Sequence, residues 1–468
     1  MGWRLRVGAT VTTVVVLFGG YLVADAYDVV PGMVTLEPAP EPAAPFPTAP
    51  GATTGPSPAV AVPALPDAAP VPDATELGDL VDDLADDDRL GKRTGVMVVD
   101  AVTGETLGAS GQDRLLVPAS AQKILTGVAA YAGPGGDTRL VTRVMLHGDN
   151  RLVLVGGGDM MLAADDGDPG AINGHAGLGD LADQVVAQIG LSGTRSVTLT
   201  VDDTLFTGPA VASSVRANDA ADGYIAPVAA LAVDVARLTD DKYARREEDP
   251  ALAAAETFAE ALADRGIDVS GQIARQAAPS SAREIGRVES APLGDIVGYL
   301  LEESDNTITE VVGRLVAIDA GLPGSGDAAV SEVMATVEAL GVDLSGAELA
   351  DLSGLGTGSV MSARQLVDTL VAAAAEPDLR ESVTGLPVAG LQGTLADRFG
   401  GDNPGRGYAE AKTGSLPDVR SLAGTVVTAD DRLLVFALIA DRIPEGGSYG
   451  ANLIFDRFVG DLATCGCP

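Results

Sequence analysis

Apolar positions recur at two periods along this chain, and the period switches mark its elements. Leu77, Leu80, Val81 and Leu84 fall at helical spacing and predict an amphipathic helix from Thr75. Thr94 to Asp100 and Glu105 to Ala109 then read as two strands that turn at Thr103-Gly104. A helical pattern runs from Ala119 to Ala130. The middle differs: Arg139 to Gly158 alternates like strands, Leu178 to Ile189 is an amphipathic helix, and Ser196 to Val201 is another strand. Helices follow at Pro250 to Arg265 and Pro292 to Leu301, each with proline in its first turn, and at Thr307 to Ile318. Three strands at about 408–415, 421–427 and 433–440, with a hairpin turn at Ala429-Asp430-Asp431, precede a last helix over Ala451 to Leu462. The two early strands and the three late ones predict one antiparallel five-stranded sheet with helices on both faces, an α/β fold of the α+β type.

Outside this region the patterning fails. Residues 31–74 hold 13 of the 28 prolines in a Pro/Ala-rich stretch with no apolar face, which predicts a disordered tether reaching on the order of 100 Å. Residues 1–30 place two arginines ahead of an uncharged stretch from Val7 to Ala24, the pattern of an export signal. A retained membrane anchor is the favoured reading, while Ala24-Asp25-Ala26 also offers a cleavage site. Either reading places the folded part outside the cytoplasm, in the cell envelope.

The 468 residues suffice for two or three domains, and 46% of them are hydrophobic. A formal charge of -36 argues against nucleic acid or another polyanion as partner. Only His147 and His175 are available for histidine chemistry, and neither sits in a metal spacing or beside a nucleophile signature. No metal or cofactor is implied. Cys465 and Cys467 close the chain and form either a strained local disulfide or a free pair, with no catalytic role.

Lysine is scarce, and that scarcity exposes the chemistry. Of the four lysines, Lys123 follows Ser120 in Ser120-Ala121-Gln122-Lys123, and Lys412 opens Lys412-Thr413-Gly414. Ser304-Asp305-Asn306 lies between them, on a loop between two predicted helices. Composition arithmetic puts the joint chance of the three at about two in a thousand. Ser120 and Lys123 share one face of the helix start, so the amine, when neutral, can take the hydroxyl proton. Arginine could not, because its guanidinium stays protonated. Burial and the Lys412 ammonium would both lower the pKa of Lys123, leaving Lys412 as the charged partner. Unpaired N–H groups in the first turn suit an oxyanion. Ser304 can relay a proton, Asn306 can hold a substrate amide, and Lys412 and Thr413 can hold a carboxylate, with Gly414 leaving room for a peptide along the strand edge. Lys92 and Lys242 read as solvated surface residues.

The ordered set Ser120-x-x-Lys123, Ser304-Asp305-Asn306 and Lys412-Thr413-Gly414 resembles the motifs of penicillin-binding proteins and serine β-lactamases. The long gap between the first two motifs resembles the low-molecular-mass class C penicillin-binding proteins, the D-alanyl-D-alanine carboxypeptidase and endopeptidase group. Val117-Pro118-Ala119-Ser120, Gly156-Gly157-Gly158-Asp159, Asp351-Leu352-Ser353-Gly354-Leu355, Leu386-Pro387-Val388-Ala389-Gly390, Gly393-Thr394-Leu395 and Ala411-Lys412-Thr413-Gly414-Ser415 match the same group. The resemblance covers about residues 75–463. It implies the transpeptidase fold of that superfamily, with a discontinuous catalytic domain at 75–138 and 288–468 and an inserted accessory region at 139–287.

It also implies a serine-type D-Ala-D-Ala carboxypeptidase that acts on peptidoglycan stem peptides and takes β-lactams as covalent inhibitors. Ser120, Lys123, Ser304, Asn306 and Lys412 would be catalytic. The N–H groups of Ser120 and Ser415 would form the oxyanion hole, and the Thr413 and Ser415 hydroxyls would bind the terminal carboxylate beside Gly414. The usual Asp-Pro-Thr-Leu reads Asp159-Met160-Met161-Leu162 here, so Asp159 either contacts the diamino acid of the stem peptide or is a structural turn residue. Whether endopeptidase activity accompanies the carboxypeptidase stays open. Two alternatives compete: a β-lactamase-like hydrolase, which would need a deacylating Glu-x-x-x-Asn that does not occur after Asn306, and a non-catalytic wall-binding protein, which would be expected to have lost Ser120 or Lys123.

Overall fold

The computed structural model describes Tyr21, residues 69–189 and residues 193–465. Apart from Tyr21, the segment expected to be a signal or anchor lies outside these, as do most of the tether and Cys467. No helix among the described residues is long and apolar enough to cross a membrane.

Helix α1 (Ala74–Ala85) starts at Asp73, whose side chain accepts the Thr75 and Glu76 N–H groups, and it buries Leu77, Val81 and Leu84. Strands β1 (Thr94–Asp100) and β2 (Thr106–Ser110) pair antiparallel. A 3-10 turn (Ala119–Gln122) then leads into α2 (Lys123–Ala132). The single helix expected from Ala119 thus opens with a 3-10 turn, whose first residue, Ala119, takes a left-handed φ of 48°.

The middle of the chain supplies β3 (Arg139–His147), β4 (Arg151–Val155), β5 (Asp159–Leu162), α3 (Leu178–Ile189), β6 (Ser196–Asp202), α4 (Ala217–Ala221) and β7 (Leu231–Val233). It continues through α5 (Pro250–Asp264), β8 (Asp268–Val269), β9 (Ala274–Arg275) and β10 (Arg283–Pro292). Four longer helices follow, α6 (Leu293–Glu303), α7 (Asn306–Asp319), α8 (Gly326–Ala339) and α9 (Ala363–Ala375), with the single turn α10 (Glu381–Thr384). Strands β11 (Ala409–Leu416), β12 (Val419–Val427) and β13 (Leu433–Asp441) and helix α11 (Ser448–Thr464) complete the fold.

The expected sheet is present, in the order β11-β12-β13-β1-β2 and antiparallel throughout. Its central strands are apolar on both sides because both faces are covered. Met97 and Val99 of β1, with Val435, Ala437 and Ile439 of β13, pack in one core with α2, α6, α7, α8 and α9. Val96, Val98, Leu434, Phe436 and Leu438 pack in a second core with α1 and α11. One buried ion pair ties β1 to the start of β13: Arg432 Nε donates to Asp100 Oδ1 at 3.1 Å and its Nη2 to Oδ2.

A second sheet, β10-β3-β4-β6-β8 with β9 beside β6, packs on α3 and α5 through Val144, Leu154, Leu181, Val185, Phe258 and Leu262. Periodicity did not predict β10, whose alternation is broken by bulges at Glu284/Gly286 and Glu289/Pro292. Helices α8 and α9 were not predicted either, although Ser325 and the Ser362–Gln365 capping box mark their starts.

Candidate active site

The 3-10 turn ahead of α2 carries Ser120, and the first residue of α2 is Lys123. The left-handed Ala119 lets this turn lie against Gly354, where a side chain would collide with the Ala119 carbonyl. Lys123 is fully buried, and its Nζ donates to Ser120 Oγ at 2.9 Å, to Asn306 Oδ1 at 2.7 Å and to the Ser353 carbonyl at 2.5 Å. Ser120 Oγ also donates to the Ser353 carbonyl, at 3.3 Å.

Ser304 ends α6 with a left-handed φ of 57°, which breaks the helix and turns its hydroxyl toward the site. Asp305 caps α7 by accepting the Ile308 N–H, and Asn306 begins that helix. The second motif is therefore the hinge between two helices, as its sequence position suggested. Ser304 Oγ accepts from Lys412 Nζ at 2.9 Å, and Asn306 Nδ2 donates to the Tyr224 carbonyl at 2.8 Å. Each lysine thus holds a different serine.

Lys412, Thr413, Gly414 and Ser415 lie on β11, the edge strand. Lys412 is fully buried, and Thr413 Oγ1 donates to Thr394 Oγ1 at 2.9 Å. Gly414 has a different task from the expected one. Its missing side chain makes room for the nucleophile turn: a Cβ would overlap Ser421 Oγ and lie 2.6 Å from the Pro118 carbonyl.

Charge is distributed unevenly around the two lysines. Burial pushes Lys123 down to about 8, while the carboxylates of Asp351, Asp305 and Glu310 oppose that push. Burial also drives Lys412 well below the usual lysine value, reinforced by the positive charges of Lys123 and Lys242. The expected division, a neutral Lys123 beside a charged Lys412, differs from the balance of these surroundings. Carboxylates support the ammonium of Lys123, whereas the neighbouring charges that act on Lys412 are cationic.

Ser120, Ser304, Asn306, Thr413 and Ser415 open onto one cavity of about 460 Å³. Its other wall comes from the middle of the chain: Arg216, Asp219, Tyr224, Arg237, Lys242 and Arg246. Sequence reading missed these. Lys242 is exposed, as expected of a surface residue, and pairs with Glu303 at 2.9 Å at the cavity. Arg420, the cross-strand neighbour of Ser415, adds a guanidinium held by the Leu416 and Val419 carbonyls. Ser353 lay within a matched stretch but had no assigned role, because it acts through its main chain. Asp159 is not brought to this cavity: it is buried at the start of β5, accepts the Met161 N–H at 2.8 Å, and burial pushes its carboxyl up to about 7. That is the geometry of a structural turn residue.

A serine hydroxyl bonded to a buried lysine, facing a second lysine on a strand edge, is equipped for acyl transfer. The relationships of the chain agree with that class. Residues 77–241 and 235–452 match the D-Ala-D-Ala carboxypeptidase 3 (S13) family, and the chain belongs to it. It is similar to a carboxypeptidase of Mycobacterium tuberculosis, at 37% identity over 411 residues and 86% of each chain. The D-alanyl-D-alanine carboxypeptidase of Actinomadura sp. (strain R39) is 29% identical, covering 75% of this chain and 78% of that one. Among solved structures, penicillin-binding protein 4 of Haemophilus influenzae shares the fold, with a TM-score of 0.69 at 20% identity, covering 82% of this chain and 99% of that one.

Proposed function

We propose that this protein is a serine-type D-Ala-D-Ala carboxypeptidase that acts on peptidoglycan stem peptides through an acyl-enzyme on Ser120. The observation that carries the reading is the 2.9 Å bond from Lys123 Nζ to Ser120 Oγ, in a cavity shared with Thr413 and Ser415. The neutral amine of Lys123 takes the Ser120 proton as Oγ bonds to the carbonyl carbon of the penultimate D-Ala. The N–H groups of Ser120 and Ser415 receive the oxyanion. As the carbon–nitrogen bond breaks, a proton passes to the departing D-Ala amine, with the Ser304 hydroxyl, held by Lys412, as relay. Water then attacks the ester and restores Ser120.

The terminal carboxylate of the substrate meets Thr413 and Ser415, and it supplies a counter-charge to Lys412, on which Lys123 and Lys242 act as cations. Arg420 adds a second cation on that side. A β-lactam enters the same pocket, acylates Ser120 and inhibits. The strands of the five-stranded sheet come from 94–110 and 409–441, which supports a catalytic domain interrupted by an accessory insert. The pairing of β10 with β3 supports grouping β10, up to Pro292, with the insert. The N-terminal segment directs export, and as a retained anchor it would hold the enzyme at the membrane of the cell envelope.

Fluorescent penicillin labelling of the wild type and of Ser120→Ala, with D-Ala release from a pentapeptide ending in D-Ala-D-Ala, tests this. Labelling and release by the wild type alone are expected. A wild type that neither labels nor releases D-Ala overturns the reading.

A further inference from the structure

Glu310 is a carboxylate that the steps above leave unused, and only 4% of it is exposed. It stands on α7 one turn after Asn306, so both side chains leave the same face of the helix. Asn306 reaches Lys123 directly. Glu310 reaches it through the main chain: its Oε1 accepts the N–H groups of Leu352 at 2.8 Å and Ser353 at 2.9 Å, and the carbonyl of Ser353 is the acceptor shared by Lys123 and Ser120.

The loop that carries this carbonyl is fastened from two more sides. Asp351 accepts the Gly354 N–H at 2.7 Å and the Ser214 hydroxyl at 2.8 Å. Gln122, next to Lys123, donates to the Asp351 carbonyl at 2.6 Å. Gly313 of α7 lets Leu352 pack where a side chain would collide. The charged groups around Lys123 are Asp351, Asp305 and Glu310, and its own charge acts on Lys412. Those around Glu310 are Lys123, Asp351 and Arg314. Burial and Asp351 push its carboxyl up to about 7, against the Ser353 and Leu352 N–H groups and Arg314, so it is largely ionised where Lys123 titrates near 8. The Arg314 guanidinium is bonded to the carbonyls of Thr207, Pro209 and Gly324.

We propose that Glu310 is a positioning residue for acylation, which sets the Ser353 carbonyl as the third acceptor of Lys123 and supplies a negative charge that governs when Lys123 can act as base. The inference rests on the acyl-enzyme reading above. As the Ser120 O–H bond breaks and the Oγ–carbon bond forms, the proton settles on the Lys123 nitrogen, and the charge of Glu310 stabilises the ammonium that results. The same charge holds the resting ammonium, so its removal frees the amine at lower pH and weakens its support in the transition state.

The test is the second-order rate of acylation by fluorescent penicillin from pH 5.5 to 9.5, for the full chain and for Glu310→Gln, Glu310→Asp and Glu310→Ala, with melting curves alongside. A glutamine carbonyl still accepts both N–H groups, so in E310Q the midpoint should move acidward by about 0.5–1 pH unit with a lower plateau. E310D keeps the charge but shortens the reach, so its plateau should fall at an unmoved midpoint. E310A loses both, and its plateau should fall about 10- to 100-fold. A residue that merely supports the fold would lower rates with the folded fraction and leave every midpoint in place. An E310Q midpoint that is unmoved or shifted upward overturns the proposal while wild-type labelling keeps the acyl-enzyme reading. If E310Q does not fold, E310D decides: an unchanged plateau overturns the positioning role. A wild type that fails to label overturns the acyl-enzyme reading and this inference with it.

Discussion

Replacing Gly414 by alanine puts one methyl into the seam between β11 and the turn that carries Ser120. The new Cβ would overlap Ser421 Oγ, lie 2.6 Å from the Pro118 carbonyl oxygen and sit 3.1 Å from the Ala121 nitrogen. Ser421 is not free to step aside, because its hydroxyl donates to that same Pro118 carbonyl at 2.6 Å. Giving up that bond costs about 1 kcal/mol. The other two obstacles are main chain, so the turn itself must retreat. Restoring ordinary contact, from 2.6 Å to 3.4 Å, requires a displacement of 0.8 Å. Ser120 and Lys123 move with the turn while Thr413 and Ser415 stay on β11, so the nucleophile separates from the proposed carboxylate anchor. A misplacement near 1 Å costs on the order of 100-fold in rate, and overpacking costs about 1–3 kcal/mol in stability. Penicillin acylation kinetics and thermal melts measure the two effects. The double variant G414A/S421G removes the nearest overlap but not the one with Pro118, so it should recover only part of the loss. Acylation by G414A within about threefold of wild type, at an unchanged melting temperature, would refute the packing argument behind these magnitudes.

Two further outcomes follow from buried charge. With Lys123 pushed down to about 8, its base form grows as pH rises, so wild-type acylation should increase close to tenfold from pH 6 to 7 and level off above about pH 9; a flat profile between pH 6 and 8 removes Lys123 as the base. Arg432→Met leaves the carboxylate of Asp100, at 0% exposure, without its buried partner and should cost about 3–5 kcal/mol by denaturant unfolding. Asp100→Asn added to it should recover most of that loss, and a single-variant cost below about 1 kcal/mol contradicts the pairing argument.

The legible parts of the fold share a local cause. α3 and β1 occupy the spans their periodicity predicted, because a stripe or an alternation of apolar residues is a property of consecutive positions. The 3-10 turn ahead of α2 was not legible, since the left-handed Ala119 is held by a contact with Gly354, more than two hundred residues away. Strand β10 was hidden by bulges that only its pairing with β3 defines. The candidate site divides the same way. Its three motifs are short runs whose side chains announce their chemistry, and the structure brings them onto one cavity. Asp159 looked like a site residue by its neighbours in sequence, but it does not line that cavity.

By itself the sequence determined many of the longer elements, the pairing of early with late strands, and the two lysines reserved for chemistry, since each is written in residue type and spacing. Tertiary structure decided what those lysines experience. Burial, a quantity of three dimensions, lowers the pKa of both. Asp305, Glu310 and Asp351 reach Lys123 from two distant stretches of chain, while the charges acting on Lys412 are those of Lys123 and Lys242, so the supported ammonium is not the one that sequence order suggested. The acceptor that Lys123 and Ser120 share is a main-chain carbonyl, which every residue possesses. Only the approach of α7 to the 351–354 loop makes that of Ser353 the one that matters.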